Sequence, residues 1–262
     1  MKLHGRITVF GEYLVKNKYS YCLCLKSQRY LSNNINDNTN VHKEYCISKD
    51  LSLYELNKLG FAVDNTNDNI YGDLPLGYGL SSSTILTILH LNSIANKGLI
   101  QKVDRVICGF SPSNLDYTSV IKQETGIMSP KGWVSLNEFS LCYSLILVPK
   151  EKLYSLKTTF PKLQSKLSLQ ISLTTNIFKY LIDNTKINYE MLYDYCKILN
   201  SCNIYSKDSK NIIEDLLFTG VCAKCVGGLY DKALLVIYEQ ESDKIKYEGY
   251  LKNKYEHVGI VE

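Results

Sequence analysis

The residues best suited to bind a ligand or to carry chemistry lie between Asp73 and Thr84, where two spaced glycines precede three consecutive serines. Glycine lets the backbone approach a ligand closely, and the first N–H groups of a following helix carry a partial positive charge. Serine hydroxyls can donate to phosphate oxygens or bind Mg²⁺, which prefers oxygen ligands. The segment therefore suits phosphate binding, although the same residues also suit an ordinary turn with a serine cap. No Gly-Lys-Ser/Thr ending follows, which excludes a Walker A loop.

The composition is that of a globular protein with a mild positive charge. Of the 262 residues, 45% are hydrophobic and 21% are charged, and the net charge is +4. Nucleic-acid binding needs a basic face or stripe, whereas the lysines here are scattered, so no nucleic-acid partner is expected. The sequence shows neither a signal peptide nor an apolar segment near the roughly 18 residues of a membrane span. We therefore expect a cytoplasmic protein with no membrane attachment.

The nine cysteines indicate a reducing compartment. Their number is odd, and most stand in apolar stretches, as expected for thiols that act as small hydrophobic residues. Cys222 and Cys225 form an isolated CxxC pair without a second pair or a histidine pair at zinc-finger spacing. A structural zinc site is therefore not expected.

The serine-rich segment must be positioned by a helix that follows it. From residue 81 to residue 95, apolar residues recur at three- and four-residue spacing, which predicts a helix with a wide buried face. Another helix is predicted to start near Ser113 or Asp116, since both residues can cap a helix and apolar Val120 follows.

Strands are predicted before and after these helices. Short apolar segments predict an N-terminal pair of strands and two later strands, at residues 7–10, 20–25, 140–148 and 233–238. In the second half, apolar residues mostly recur at helical spacing, which predicts helices at residues 163–182, 189–199 and 210–218. These elements indicate an α+β protein of two lobes. We expect a strand-rich N-terminal lobe at residues 1–148 and a helix-rich C-terminal lobe with its own sheet at residues 149–262.

Three segments together resemble the signatures of the GHMP kinases, a superfamily that includes galactokinase, homoserine kinase, mevalonate kinase and phosphomevalonate kinase. Residues 5–15 contain a glycine and a basic residue, an apolar strand and then Gly-Glu. Residues 75–83 resemble the phosphate-binding signature, and residues 111–116 resemble the Pro-Ser-Gly-x-Asp signature with Asn114 in place of glycine. The Gly-Glu-Tyr ending and residues 78–83 are most similar to the phosphomevalonate kinase form. The resemblance implies the two-lobe GHMP kinase fold.

The resemblance also implies roles for individual residues. Asp116 would be the catalytic carboxylate, and Arg6 would lie beside the transferring phosphoryl group, where a guanidinium stabilises charge. Glu12 and Tyr13 would lie at the acceptor substrate. Ser83 would bind Mg²⁺, and the phosphates of ATP would be held by Gly77, Tyr78, Gly79, Leu80, Ser81, Ser82 and Ser83. Without the family, an arginine on an edge strand is usually solvated, and a lone aspartate at a helix start is usually a cap.

Parts of the sequence depart from the family pattern. The usual glycine before the serine pair is Ser81, and the last glycine-rich loop is reduced to Gly227 and Gly228, followed by two residues with large side chains. Mevalonate kinases carry a further Mg²⁺ carboxylate at a position where this chain has Arg105, with Asp104 beside it.

The sequence thus predicts an ATP-dependent kinase that transfers a γ-phosphoryl group to a hydroxyl or phosphate of a small metabolite. Mevalonate, phosphomevalonate and sugars are the acceptor classes that the resemblance implies. The alternative is a catalytically inactive relative that binds a metabolite or a protein. The altered glycine-rich loop favours this alternative, whereas the joint presence of Arg6, Ser83 and Asp116 opposes it. The acceptor is not defined by the sequence, and a homodimer stays open.

Overall fold

The computed structural model describes residues 1–14, 20–34, 54, 57–58, 70–91, 97–108, 114–148, 161–226, 233–255 and 257–262. The strands in this part of the chain are β1 (Lys2–Phe10), β2 (Cys22–Ser32), β3 (Tyr71–Gly72), β4 (Gly126–Ser129), β5 (Gly132–Ser135), β6 (Cys142–Leu147), β7 (Cys222–Cys225), β8 (Ala233–Tyr238) and β9 (Gly259–Ile260). The helices are α1 (Ser82–Leu91), α2 (Lys97–Cys108), α3 (Asn114–Lys122), α4 (Leu167–Asn184), α5 (Tyr189–Ser201), α6 (Lys207–Phe218) and α7 (Glu241–Lys254).

The strands form two sheets, which confirms the predicted α+β class. In the first sheet the order is β1-β2-β4-β5, and β3 also pairs with β2. Strand β2 is antiparallel to both β3 and β4. The second sheet has the order β7-β8-β6-β9 and is antiparallel throughout. The helix-rich second half therefore has its own sheet, in which β8 is buried at every position.

Residue contacts divide the chain into two compact units. Unit 1 comprises residues 1–6 and 25–124, and unit 2 comprises residues 7–24 and 125–262. Strands β1 and β2 each contribute residues to both units. These units divide the chain at points other than residue 148, so the lobe boundary predicted there stays a prediction.

In unit 1 the core is built on helix α1. The helical spacing predicted from the sequence buries Ile85, Leu86, Ile88 and Leu89, each with no more than 3% of its surface exposed. This face packs against α2 and α3. The predicted helix is confirmed from Ser82 to Leu91, and residues 92–95 of the prediction lie outside the described residues.

A close backbone approach fixes strand β1 to the loop before α1. The Arg6 N–H donates to the carbonyl oxygen of Leu80 at 3.2 Å. A Cβ atom on Gly5 would lie 2.4 Å from Leu74 Cδ1 and 3.3 Å from the Leu80 oxygen. Glycine therefore suits this close approach, because a larger residue would force the Leu74 side chain to shift.

In unit 2, helix α5 packs against α4, α6 and β7. Its start at Tyr189 is as predicted, because the Asn188 side chain accepts a hydrogen bond from the Met191 N–H at 2.9 Å. Helix α6 begins three residues before its predicted start, since Ser206 caps it by accepting from the Ser209 N–H at 3.2 Å.

The described cysteines form no disulfide bonds. Of the CxxC pair, both Cys222 and Cys225 are buried in strand β7. Burial raises the pKa of the Cys222 thiol far above its ordinary value, so the thiol stays protonated. No helix within the described residues has the length and apolar character needed to cross a membrane.

Gly11, directly after β1, is required by two separate constraints. Its φ of +85° lies in the left-handed region. A Cβ atom there would also lie 2.0 Å from the Tyr21 carbonyl oxygen. Gly220 has nearly the same φ, +84°, but a Cβ atom there would meet nothing within 4 Å.

We expect Gly11→Ala to lower the free energy of unfolding by about 2–5 kcal/mol, from ~1–2 kcal/mol of backbone strain and ~1–3 kcal/mol of overpacking. Gly220→Ala is the matched control and should lose only the backbone part, about 1–2 kcal/mol. Urea denaturation of both variants measures the difference. Equal losses would contradict the close contact at Tyr21.

Candidate active site

The loop of residues 77–81 has the backbone expected of a phosphate-binding turn. Gly77 and Gly79 both have φ of +75°, and Ser81 has φ of +61°. Gly77 is exposed, and nothing lies within 4 Å of the place where its Cβ atom would be. Its N–H donates to Ser82 Oγ at 3.2 Å, which fixes the turn against the helix start. The backbone at Gly77 is therefore accessible to a ligand.

Helix α1 begins directly behind this loop. The Ser81 carbonyl oxygen accepts the first helical hydrogen bond, from the Ile85 N–H at 3.1 Å. Ser82 is buried and Ser83 is half-buried, and both lie in the first turn. The helix dipole places a partial positive charge of roughly half a unit at this end, which favours an anion.

Arg6, Ser81 and Asp116 form one hydrogen-bonded cluster in unit 1. Arg6 Nη2 lies 2.7 Å from Asp116 Oδ1, and Arg6 Nε donates to Ser81 Oγ at 3.0 Å. The Ser81 hydroxyl in turn donates to Asp116 Oδ1 at 2.8 Å. Arg6 and Ser81 are buried, whereas 26% of the Asp116 side chain is exposed.

Three elements carry this cluster. Arg6 comes from strand β1, Ser81 from the end of the loop, and Asp116 from the first turn of α3. The structure therefore brings together the two residues predicted to be catalytic, although 110 positions separate them in the sequence. Residues 111–113 of the third signature lie outside the described residues.

The remaining loop residues have different environments. Leu80 is fully buried and anchors the loop in the core, so its side chain cannot reach a ligand, and its carbonyl is held by Arg6. Tyr78 is half-buried. The Ser83 carbonyl accepts a hydrogen bond from the Thr87 hydroxyl at 3.0 Å.

Glu12, a predicted substrate-binding residue, lies in a buried ion pair in unit 2. Its Oε1 is 2.6 Å from Lys224 Nζ, and the two side chains are 3% and 0% exposed. Lys224 also donates to the Thr8 carbonyl at 3.0 Å, and the Tyr195 hydroxyl donates to Glu12 Oε2 at 3.4 Å. Glu12 is therefore held inside unit 2, and its contact with a substrate stays a prediction. Tyr13 is half-buried.

Tyr195 connects this ion pair to the backbone. Its hydroxyl oxygen accepts from the Gly11 N–H at 2.9 Å and donates to Glu12. Burial, and next the Glu12 carboxylate, raise the pKa of Tyr195 well above its ordinary value, so the hydroxyl stays a neutral donor.

The contacts of Lys224 and Tyr195 with Glu12 were not predicted from the sequence. A signal for Lys224 existed, because a lysine inside the apolar strand Cys222–Cys225 must find a buried partner. Tyr195 gave no signal, since an aromatic residue on a buried helix face is ordinary core material.

A further Mg²⁺ carboxylate was not predicted from the sequence, which has arginine at the corresponding position, 105. Arg105 is exposed on α2, and the side chain of Asp104 lies outside the described part of the chain. Within the described residues, no group of three or more His, Cys, Asp and Glu side chains is arranged to hold a metal ion. Residues 227–232, which include Gly227 and Gly228, also lie outside the described part of the chain. The residues on either side of them are joined by a hydrogen bond from the Val226 N–H to the Ala233 oxygen at 2.8 Å.

Comparison with solved structures relates the whole chain to small-molecule kinases. The mevalonate kinase of Methanococcus jannaschii gives a TM-score of 0.66 at 15% identity, covering 100% of this chain and 96% of that chain. The galactokinase of Lactococcus lactis, in complex with galactose, gives 0.63 at 12% identity, covering 99% and 92%. The phosphomevalonate kinase of Streptococcus pneumoniae, in complex with phosphomevalonate and AMPPNP, gives 0.57 at 12% identity, covering 100% and 98%.

These neighbours are GHMP kinases, so the chain has the GHMP kinase fold, as the sequence signatures predicted. No family model and no curated protein matches the sequence. At these identities the likeness establishes the fold, and the activity has to be argued from the site.

We expect Lys224→Met to lower the free energy of unfolding by about 3–5 kcal/mol, because it leaves the Glu12 carboxylate buried without its cation. The double variant Glu12→Gln/Lys224→Met removes that stranded charge and should recover most of the loss. Lys210→Met, which breaks an exposed pair with Glu214, serves as control and should cost about 1 kcal/mol or less. Urea denaturation measures the free energy of unfolding of each variant. A double variant that is no more stable than Lys224→Met would contradict the role of the ion pair.

Proposed function

We propose that this protein is an ATP-dependent kinase that transfers the γ-phosphoryl group of MgATP to a hydroxyl or phosphate of a small metabolite. The observation that carries the proposal is the Arg6–Ser81–Asp116 cluster, which lies at the start of α1 directly after the open glycine loop. A cation and a carboxylate at one end of a phosphate-binding loop are the groups that phosphoryl transfer requires.

The residues present fit a nucleotide phosphate group. At Gly77 the backbone is exposed and a Cβ atom would meet nothing, so phosphate oxygens can approach the loop. The positive end of α1 and the Arg6 guanidinium both favour an anion there. Ser83 would offer a hydroxyl oxygen to Mg²⁺, which neutralises charge on the phosphates and is commonly held by few protein ligands together with phosphates and water.

Asp116 and Arg6 would have different roles in the reaction. The oxygen of the acceptor bonds to the γ-phosphorus while the bond from the γ-phosphorus to the β–γ bridging oxygen breaks, and that electron pair leaves with ADP. A hydroxyl acceptor gives its proton to Asp116, whose partly exposed carboxylate can be reached from solvent. Arg6 stabilises negative charge on the transferring group, and Ser81 and Asp116 fix its orientation beforehand.

The acceptor belongs to the class of small polyhydroxy or hydroxy-acid metabolites. Support comes from the galactokinase and phosphomevalonate kinase complexes described above, with galactose and phosphomevalonate, and from the similar structure of L. major mevalonate kinase in complex with R-mevalonate. These three compounds, with other sugars and phosphosugars, form the first panel of acceptors.

We expect Arg6→Met and Asp116→Asn each to lower kcat about 10³-fold or more, because each removes a group that acts on the transition state. Steady-state ADP release with the best acceptor of the panel measures the effect. Asp215→Asn is the control, since it removes a carboxylate from a salt bridge in unit 2, and it should keep the wild-type kcat.

A thermal-unfolding series with MgATP accompanies the kinetics. A ligand at 100 times its Kd stabilises a folded protein by about 2.7 kcal/mol, so binding is visible even without turnover. Binding with no turnover on any acceptor would favour the inactive relative. The absence of both binding and turnover would contradict nucleotide use.

A further inference from the structure

Ser81 has a backbone conformation that serine seldom adopts at this place in a fold. Within the described residues, the non-glycine residues with positive φ are Ser81, Gln123, Thr185 and Asn203. Gln123 and Thr185 directly follow the ends of helices α3 and α4, and Asn203 lies two residues after the end of α5. The left-handed conformation is common at helix ends. Ser81 instead precedes a helix, at a position where extended backbone is usual. A glycine would adopt φ of +61° without strain.

The hydroxyl of Ser81 makes contacts that glycine could not make. It accepts from Arg6 Nε at 3.0 Å and donates to Asp116 Oδ1 at 2.8 Å, and only 7% of the residue is exposed. Arg6 therefore bonds through two different nitrogens to two different residues, which restricts rotation of its planar guanidinium. Asp116 Oδ1 accepts from both the Ser81 hydroxyl and Arg6 Nη2, which restricts rotation of the carboxylate as well.

We propose that Ser81 is a positioning residue that sets the relative orientation of Arg6 and Asp116 before substrates bind. This inference rests on the proposed kinase function and assigns Ser81 a role other than phosphate contact. The strained backbone conformation directs the Ser81 hydroxyl between the two charged groups, Arg6 and Asp116. Small errors in the placement of reacting groups cost large factors in rate, so the orientation is functionally important.

The test compares Ser81→Gly with Ser81→Ala. Glycine keeps the loop conformation, relieves the strain and removes the hydroxyl, whereas alanine removes the hydroxyl and keeps the strain. We expect both variants to lower kcat about 10- to 100-fold, with a much smaller change in KM for ATP. Ser81→Gly should have an unfolding midpoint close to that of the wild type and above that of Ser81→Ala, so loss of rate will not follow loss of stability.

Thr185→Gly is the matched control, because it replaces another non-glycine residue, at φ of +57°, that lies at the exposed end of α4. It should keep the wild-type kcat. In an Arg6→Met background, Ser81→Gly should lower kcat far less than it does in the wild type, since the group that it orients is already absent.

The outcomes separate this inference from the function on which it rests. A wild-type enzyme that turns over while Ser81→Gly keeps its full kcat would overturn the positioning role alone. A rise in KM for ATP with unchanged kcat would also overturn it, because Ser81 would then be a phosphate ligand only. Absence of turnover in the wild type on every acceptor would overturn the kinase proposal and the positioning role together.

Discussion

The site depends on the burial of a positive charge, that of Arg6, beside a carboxylate and a hydroxyl. Removal of a guanidinium from water costs several kcal/mol, and the cost is offset only when the charge has a counter-ion and its donors have partners. Asp116 supplies the counter-ion and Ser81 supplies a further acceptor. Strand β1, the loop and helix α3 must therefore adopt their positions together, and the Arg6 backbone bond to Leu80 adds to this constraint.

Unit 2 contains an ion pair in which both partners are buried, and it obeys the same rule. Lys224 lies in the middle of an apolar strand, and Glu12 and the Thr8 carbonyl satisfy its ammonium group. Buried ion pairs of this kind contribute little net stability but penalise any fold in which one partner is missing. They therefore help to specify where the residues around Gly11 lie within the unit.

The sequence predicted elements well where burial follows a simple period. Strand β8 was predicted with its observed bounds, because all six residues are apolar and buried. Strand β2 was predicted too short, since beyond Leu25 it mixes buried with exposed side chains and includes lysine and arginine. Helix α7 was missed because Leu251 is its one buried residue, and the half-exposed β4–β5 pair gave no long apolar run.

The site was predicted in part for a comparable reason. Glycine and serine spacing indicates a phosphate loop locally, and the family resemblance assigned Arg6 and Asp116. The bridging position of Ser81 and the pairing of Glu12 with Lys224 depend on contacts between distant segments. A single sequence does not encode such contacts in any local pattern.

The most direct measurement is a crystal structure with a non-hydrolysable ATP analogue and Mg²⁺. We expect the triphosphate to lie on the residue 77–83 loop, with oxygens of the terminal phosphate about 2.7–3.1 Å from donors that include the Arg6 guanidinium. A nucleotide bound away from this loop, or an Arg6 side chain directed away from the terminal phosphate, would contradict the account.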